Sequence, residues 1–117
     1  MIRTVLRWSF WLLLTLVTVA SLAPTAHLPP QVFDIWDKAQ HAVGFLMLTG
    51  LGALAYPMPA WRWGFAMALY GASIEALQAA TGWRTGDPLD WVADMTGVAV
   101  ALLFLAIMPR PARPSAL

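Results

Sequence analysis

Long apolar stretches, separated by short segments that contain proline or glycine, dominate the pattern of the chain. Four of them approach the roughly 20 mostly apolar residues that a helix needs to cross a hydrocarbon core about 30 Å thick. They run over about residues 5–23, 39–56, 61–80 and 89–108. The sequence lacks the alternation of polar and apolar residues that a membrane barrel needs. The pattern predicts an all-α integral membrane protein, folded as a four-helix transmembrane bundle in a single domain over residues 1–117.

Prolines mark the predicted ends of the helices. Pro24, Pro29 and Pro30 follow the first apolar stretch, and we expect them to break the chain there. The first stretch also has the basic start and apolar run of a signal peptide. Its run is longer than the roughly 7–15 apolar residues of an ordinary signal peptide, and its small-residue site at 21–23 is followed by proline. We therefore expect this segment to be retained as a membrane anchor.

Composition restricts the classes of function. Hydrophobic residues make up 60% of the chain and charged residues 11%, against about 25% charged residues in ordinary soluble domains. The formal net charge of +1 provides no basic face for nucleic acid, and the high hydrophobicity excludes a disordered chain. Cysteine is absent, which excludes disulfides, zinc–thiolate sites and thiol catalysis. These observations favour a small membrane protein with no nucleic-acid partner.

Basic residues and tryptophans indicate how the predicted helices are oriented. With the N-terminus inside, five basic residues fall on the inner side and two on the outer side. This asymmetry favours an N-in, C-in topology under the positive-inside rule. The inner residues are Arg3, Arg7, Arg62, Arg110 and Arg113, and the outer residues are Lys38 and Arg84. All seven tryptophans fall at predicted helix ends, where we expect aromatic belts at the two membrane surfaces.

Three of the predicted helices carry ionisable residues at one height. The segments are Asp37–His41 at the start of the second helix, Glu75–Gln78 late in the third and Asp90–Asp94 at the start of the fourth. A rise of 1.5 Å per residue places His41, Glu75 and Asp94 each about 20–22 Å from the inner ends of their helices. Charged groups are costly in a membrane and should face one another or water. We expect a polar pocket that opens outward and is walled by helices two, three and four.

The motifs that contain these residues are similar to those of the VanZ-like family of bacterial membrane proteins. The motif D-K-x-x-H stands at Asp37–His41, E-x-x-Q at Glu75–Gln78 and R-x-x-D-x-x-D at Arg84–Asp90, followed by Asp94 and Gly97. The family pattern has asparagine more often where this chain has Asp94. The resemblance implies a multi-pass protein of the bacterial cytoplasmic (inner) membrane. It also implies a place in the cell envelope and a family link to antibiotic resistance, namely to the glycopeptide teicoplanin.

The first functional hypothesis is a binding protein for a cell-envelope ligand. Lys38, His41 and Arg84 would engage an anionic lipid-linked group, and the planar fork of Arg84 suits bidentate contact. The carboxylates would position these cations or meet an amine or hydroxyl of the ligand. The membrane lipid bilayer is the implied partner, and a homo-oligomer is left open. The candidate ligand-binding residues are Lys38, His41, Glu75, Gln78, Arg84, Asp90 and Asp94.

An intramembrane hydrolase or transferase is the second hypothesis. His41 beside Asp37, or Glu75 in a buried setting, would act as general acid or base. Lys38 and Arg84 would stabilise developing negative charge. The candidate catalytic residues are therefore Glu75, His41 and Asp37, although the serines and threonines lie in no nucleophile motif.

Two further interpretations of the polar residues stay open. A divalent cation would find mixed nitrogen and oxygen ligands among His41, Glu75, Asp90 and Asp94. Their spacing matches no established ligand motif, so the sequence assigns no metal and no cofactor. Alternatively, the polar groups only hold the helices together through internal salt bridges such as Glu75–Arg84 or Lys38–Asp90.

Overall fold

The computed structural model contains four helices: α1 (Ile2–Leu22), α2 (Pro30–Ala55), α3 (Ala60–Thr81) and α4 (Pro88–Ile107). The structure describes residues 1–24, 26 and 30–109, with residues 30–34 described by their backbone alone. Within this part of the chain there is no strand, so the predictions of an all-helical fold and of four helices are confirmed. Arg110 and Arg113, which contribute to the predicted orientation, lie outside the described residues.

The second helix begins earlier than the apolar pattern predicts. Pro30 is its first residue, whereas the predicted span begins near residue 39. Proline suits the first turn of a helix because its missing N–H needs no partner there. Pro30 therefore starts a helix, although its sequence neighbourhood predicts a break. As a consequence, Asp37–His41 lies about two turns inside α2 and not at its start.

The helices pack in the cyclic order α1, α2, α4, α3. The most extensive contact joins α2 to α4, while α1 packs on α2 and α3. Within the described part of the chain, α1 and α4 lie at opposite corners and do not contact each other. Hydroxyl groups help to join α1 to α3, since Tyr70 Oη lies 2.7 Å from Thr18 Oγ1 and donates to the Leu14 carbonyl at 3.2 Å.

The contact between α2 and α4 is backbone against backbone. A Cβ atom built on Gly97 would collide with the carbonyl oxygen of Ala42 and would lie 2.9 Å from the amide nitrogen of Leu46. The absence of a side chain at Gly97 is what permits this contact, whereas an added Cβ at Gly50 or Gly64 would meet no atom within 4 Å.

Large apolar side chains lie on the outside of the bundle, and the interior holds ionisable as well as apolar side chains. An apolar cluster of Phe10, Phe45, Leu48, Trp63, Met67 and Val98 fills one part of the interior. The other buried side chains include two aspartates of α4, a histidine and an arginine. Large apolar side chains are exposed on all four helices, for example Leu12, Val43, Phe65 and Leu103. Large apolar side chains exposed in such numbers are typical of a surface that contacts lipid or another protein.

Two of the helices are long and apolar enough to cross a membrane. These are α1 and α4, judged by length and hydropathy over the described residues. The same measure does not include α2 and α3, which carry the motif residues Lys38, His41, Glu75 and Gln78. Six tryptophans are exposed, as an interfacial belt requires, but Trp63 is 3% exposed and packs against Gly52 in the apolar cluster. The prediction that Trp63 belongs to a belt is therefore wrong.

The close approach of α2 and α4 generates the first testable prediction. Gly97→Ala should lower the free energy of unfolding by about 1–3 kcal/mol, because the new methyl group must push two backbones apart. Gly50→Ala is the matched control, since its methyl group would enter open space. Thermal unfolding of both variants in detergent measures the difference. Equal midpoints for Gly97→Ala and Gly50→Ala would contradict the backbone contact.

Candidate functional site

Ionisable side chains from α2, α3, α4 and the segment before α4 form one connected group, called here the polar cluster. Its members are Asp37, Lys38, His41, Glu75, Arg84, Asp87, Asp90 and Asp94. Of the predicted ligand-binding residues, the structure brings together all except Gln78. It also brings in the predicted catalytic candidate Asp37 and one residue that was not assigned to the site, Asp87.

His41 stands at the centre of the polar cluster. Its Nδ1 is hydrogen-bonded to Oδ1 of Asp94 at 2.8 Å, and the same nitrogen lies 4.0 Å from Oε1 of Glu75. One imidazole nitrogen of α2 therefore faces a carboxylate of α4 and a carboxylate of α3. His41 is 4% exposed and Asp94 is fully buried. This arrangement fixes the relative heights of the three helices.

Arg84 binds Asp37 inside the protein. Its Nη2 donates to both carboxylate oxygens, at 3.0 Å and 2.9 Å, and both side chains are buried. The backbone N–H of Arg84 donates to the Thr81 hydroxyl at 3.2 Å, which holds the segment after α3 in place. The sequence predicts two internal salt bridges, one of them between Glu75 and Arg84. In the structure Arg84 pairs with Asp37 instead of Glu75.

The other predicted salt bridge, between Lys38 and Asp90, is present, and Lys38 also contacts a second carboxylate. Its Nζ is 3.1 Å from Oδ2 of Asp87 and 3.1 Å from Oδ1 of Asp90. Asp87 caps the N-terminus of α4, where its side chain accepts the N–H of Leu89. That hydrogen bond, followed by the contact with Lys38, lowers the pKa of the Asp87 carboxyl below its usual value. Asp87 therefore stays charged and ties α2 to the start of α4.

Glu75 is held by one oxygen and offers the other. Its Oε2 accepts the backbone N–H of Asp87 at 2.7 Å, while Oε1 points toward His41. The segment that carries Asp87 lies directly on α3, since a Cβ on Gly86 would come within 2.6 Å of the Glu75 carbonyl oxygen. Only glycine fits this approach, so the turn after α3 determines where the Glu75 carboxylate lies.

Gln78 faces α1 and not the polar cluster. Its Nε2 donates to the Ser21 carbonyl over 2.8 Å, and Trp83 Nε1 donates to the neighbouring carbonyl of Leu22 over 2.9 Å. Both contacts satisfy carbonyls at the C-terminal end of α1, which a helix end leaves without internal partners. In the predicted ligand-binding set, Gln78 is therefore the member that the structure places elsewhere.

Negative charge exceeds positive charge in the polar cluster. Five carboxylates face the two permanent cations Lys38 and Arg84, and His41 adds one positive charge only when protonated. Several buried polar atoms have no hydrogen-bond partner among the described residues, including His41 Nε2, Glu75 Oε1 and Asp94 Oδ2. Unpaired buried charge is costly. The arrangement therefore favours additional protons, a cation or a ligand group that can donate hydrogen bonds.

Two groups of side chains in the polar cluster could hold a metal ion. They are Asp37, His41 and Asp90, and His41, Glu75 and Asp94. In each group, one candidate ligand atom per residue lies within 4.8 Å of the others. The donor atoms are imidazole nitrogen and carboxylate oxygen, which suit zinc, manganese and similar divalent cations.

An apolar groove between α1 and α2 reaches the polar cluster. Its volume is about 380 Å³, and it is lined by Leu16, Val17 and Ala20 of α1 and by Val43 and Gly44 of α2. Asp37 and His41 also line it. We call this feature the α1–α2 groove. The sequence predicts walls from helices two to four only, so the contribution of α1 is a finding of the structure.

Two residues that matter to the geometry were not among the predicted site residues. Asp87 lies inside the motif that begins at Arg84, and its position before a helix is typical of an N-cap. Gly71 belongs to none of the predicted motifs. A Cβ atom on Gly71 would lie 2.7 Å from Oδ2 of Asp94, so this glycine provides the space for a buried carboxylate. Nothing in the local sequence distinguishes that role from ordinary packing.

Comparison with known proteins gives no relative: no family model, no curated protein and no solved structure matches the chain.

Proposed function

We propose that the chain is a multi-pass protein of the bacterial cytoplasmic membrane, with all four helices spanning it in the N-in, C-in orientation. Large apolar side chains exposed on α2 and α3, such as Val43 and Phe65, support this proposal. So does the burial of Asp37 and His41 of α2 in the interior. The resemblance of its motifs to the VanZ-like family supplies the cell envelope as the setting.

The proposed function is binding of the polar group of a lipid-linked molecule of the cell envelope. The α1–α2 groove is the observation that carries this proposal, because its apolar walls lead to the side chains of Asp37 and His41. A molecule with an apolar chain and a polar head matches both parts of such a surface. A lipid-linked ligand would enter sideways from the membrane and place its head among the ionisable side chains.

The sequence predicts an anionic head group. In the structure such a group would compete with the protein's own carboxylates for Lys38 and Arg84. Arg84 already contacts Asp37, and Lys38 already contacts Asp87 and Asp90. An anion that binds these cations must displace a carboxylate or arrive with a cation of its own. A head group with hydroxyl or amine donors meets no such competition, since unpaired carboxylate oxygens are present. The resemblance to the VanZ-like family implies a link to teicoplanin resistance. We therefore extend the proposal to a lipid-linked precursor of the cell wall.

Acid–base catalysis is the second candidate function. It is favoured by the contact of His41 with Asp94 at 2.8 Å and the approach of Glu75 to 4.0 Å. A carboxylate that orients an imidazole is a common arrangement for general acid–base catalysis. In this version of the proposal, the lipid-linked molecule bound in the α1–α2 groove is a substrate for hydrolysis or group transfer.

Filling the groove tests the binding proposal. Ala20→Phe places a ring in the α1–α2 groove and should reduce the lipid that remains bound after purification by about tenfold, or about 1.4 kcal/mol. Val19→Phe is the matched control, because Val19 is the exposed neighbour that does not line the groove. Native mass spectrometry of both variants in mild detergent measures the bound lipid. Equal retention by Ala20→Phe and wild type would contradict the groove as the ligand path.

Removing one charge separates binding, catalysis and a purely structural network. Glu75→Gln keeps the side-chain shape and an acceptor for the Asp87 N–H. A binding site predicts weaker retention of lipid at an unchanged thermal midpoint. A catalytic acid or base predicts loss of turnover, typically by a factor of about 10²–10⁴, with lipid retained.

Three measurements on the same sample distinguish these outcomes. They are the thermal midpoint in detergent, the lipid bound in native mass spectra, and the mass change of undecaprenyl phosphate or phosphatidylglycerol incubated with the protein. Asp87→Asn removes the same charge outside the contact with His41 and serves as the control. If Glu75→Gln lowers the thermal midpoint, and lipid binding falls only in proportion to the folded fraction, the network has a structural role only. That result would contradict both binding and catalysis.

A further inference from the structure

We propose that His41, Glu75 and Asp94 bind a divalent transition-metal cation of the zinc or manganese class. The three residues come from α2, α3 and α4, so the ion would lie where these helices meet. The inference does not rest on the lipid-linked ligand proposed above, because the protein's own side chains supply every ligand atom named here.

Distances between the ligand atoms are close to those that one ion requires. Zinc binds imidazole nitrogen and carboxylate oxygen at about 2.0–2.2 Å, so two ligands at a tetrahedral angle lie about 3.4 Å apart. The Nδ1 atom of His41 is 2.8 Å from Asp94 Oδ1 and 4.0 Å from Glu75 Oε1. These two separations bracket the required value. All three ligand atoms lie within 4.8 Å of one another.

Unpaired atoms at the same place are independent evidence for a ligand. Oε1 of Glu75 and Oδ2 of Asp94 are buried and have no hydrogen-bond partner in the part of the chain that the structure describes. Glu75 is anchored by its other oxygen, which accepts the Asp87 N–H. In Asp94 the other oxygen contacts Nδ1 of His41, and a metal ion between these two atoms would replace that hydrogen bond. A carboxylate held by one oxygen while the other is unpaired, as in Glu75, resembles a metal ligand that surrounding hydrogen bonds have oriented.

Charge also favours a cation with two positive charges. The polar cluster carries five carboxylates and two permanent cations, so a divalent ion removes most of its excess negative charge. The second candidate group shares His41 and adds Asp37 and Asp90, but Arg84 already binds Asp37 and Lys38 contacts Asp90. Lys38 and Arg84 thus contact other carboxylates, whereas Glu75 and Asp94 face the imidazole of His41. The ion is therefore assigned to them.

An ion at this position would be accessible from outside the bundle. His41 lines the α1–α2 groove, so the groove provides an entry path to the proposed ion. Gly71 contributes by leaving space beside Asp94 Oδ2, where any larger residue would compete with the carboxylate. Three protein ligands leave at least one coordination position for water or for a polar group of a second molecule.

The test measures metal binding by the full chain without added lipid. Protein purified without a histidine tag is stripped with a chelator, incubated with Zn²⁺ or Mn²⁺ alone, and separated from free metal by gel filtration. Elemental analysis should give about one ion per chain for the wild type. Asp94→Asn and Glu75→Gln should each weaken affinity by about tenfold or more. Asp87→Asn removes the same charge without removing a ligand atom, and its side-chain oxygen can still cap α4, so it should lower the affinity by less than either ligand variant does.

Other variants show how the inference would fail. Absence of bound metal in the wild type overturns the inference. So does wild-type affinity in both Asp94→Asn and Glu75→Gln. Loss of binding in Asp90→Asn with full binding in Glu75→Gln overturns the assignment in favour of the other group. Thermal midpoints of the same samples identify a variant that fails to fold, in which case the remaining ligand variant decides. Because no lipid is added, failure of the groove experiment leaves this result unaffected.

Discussion

The close contact between the backbones of α2 and α4 is the constraint on which the polar cluster depends. Ala42, whose carbonyl oxygen lies against Gly97, directly follows His41 in the chain. Gly97 lies nearly one turn after Asp94 on α4. The approach of the two backbones therefore sets the helices at the height where His41 and Asp94 meet at 2.8 Å. A wider separation of the helices would break the hydrogen bond between His41 and Asp94. Two ionisable groups would then be buried without a partner, which is costly in a low-dielectric interior.

The turn between α3 and α4 gives the third helix its place in this arrangement. Asp87 caps α4 with its side chain, contacts Lys38 of α2 and donates its backbone N–H to Glu75 of α3. One residue thus links three helices, and its side chain lies at the surface end of the network. Gly86 allows this by lying directly against the Glu75 carbonyl. The carboxylate of Glu75 is consequently fixed by the turn as well as by its own helix.

Periodicity and motif spacing predict the helices, and the shared height of the ionisable residues predicts that they meet. Local sequence cannot predict pairings that depend on the directions of long side chains. Arg84 reaches Asp37 and not Glu75, because the turn aims its guanidinium toward α2. Gln78 shares a helical face with Glu75, yet its side-chain amide donates to the Ser21 carbonyl at the end of α1. Trp63 has the position of a belt residue, but the space beside Gly52 accepts its ring.

A network that only holds helices together is most stable when its charges balance and its polar atoms are paired. The pairs Arg84–Asp37 and Lys38–Asp87 meet both conditions and account for the contact of α2 with the segment before α4. His41, Glu75 and Asp94 meet neither, because two carboxylates face one imidazole and keep unpaired oxygens. Structural pairs and chemically unsatisfied groups thus occupy adjacent parts of one cluster. The unsatisfied part includes the imidazole that lines the α1–α2 groove, which is where a ligand from the membrane would arrive.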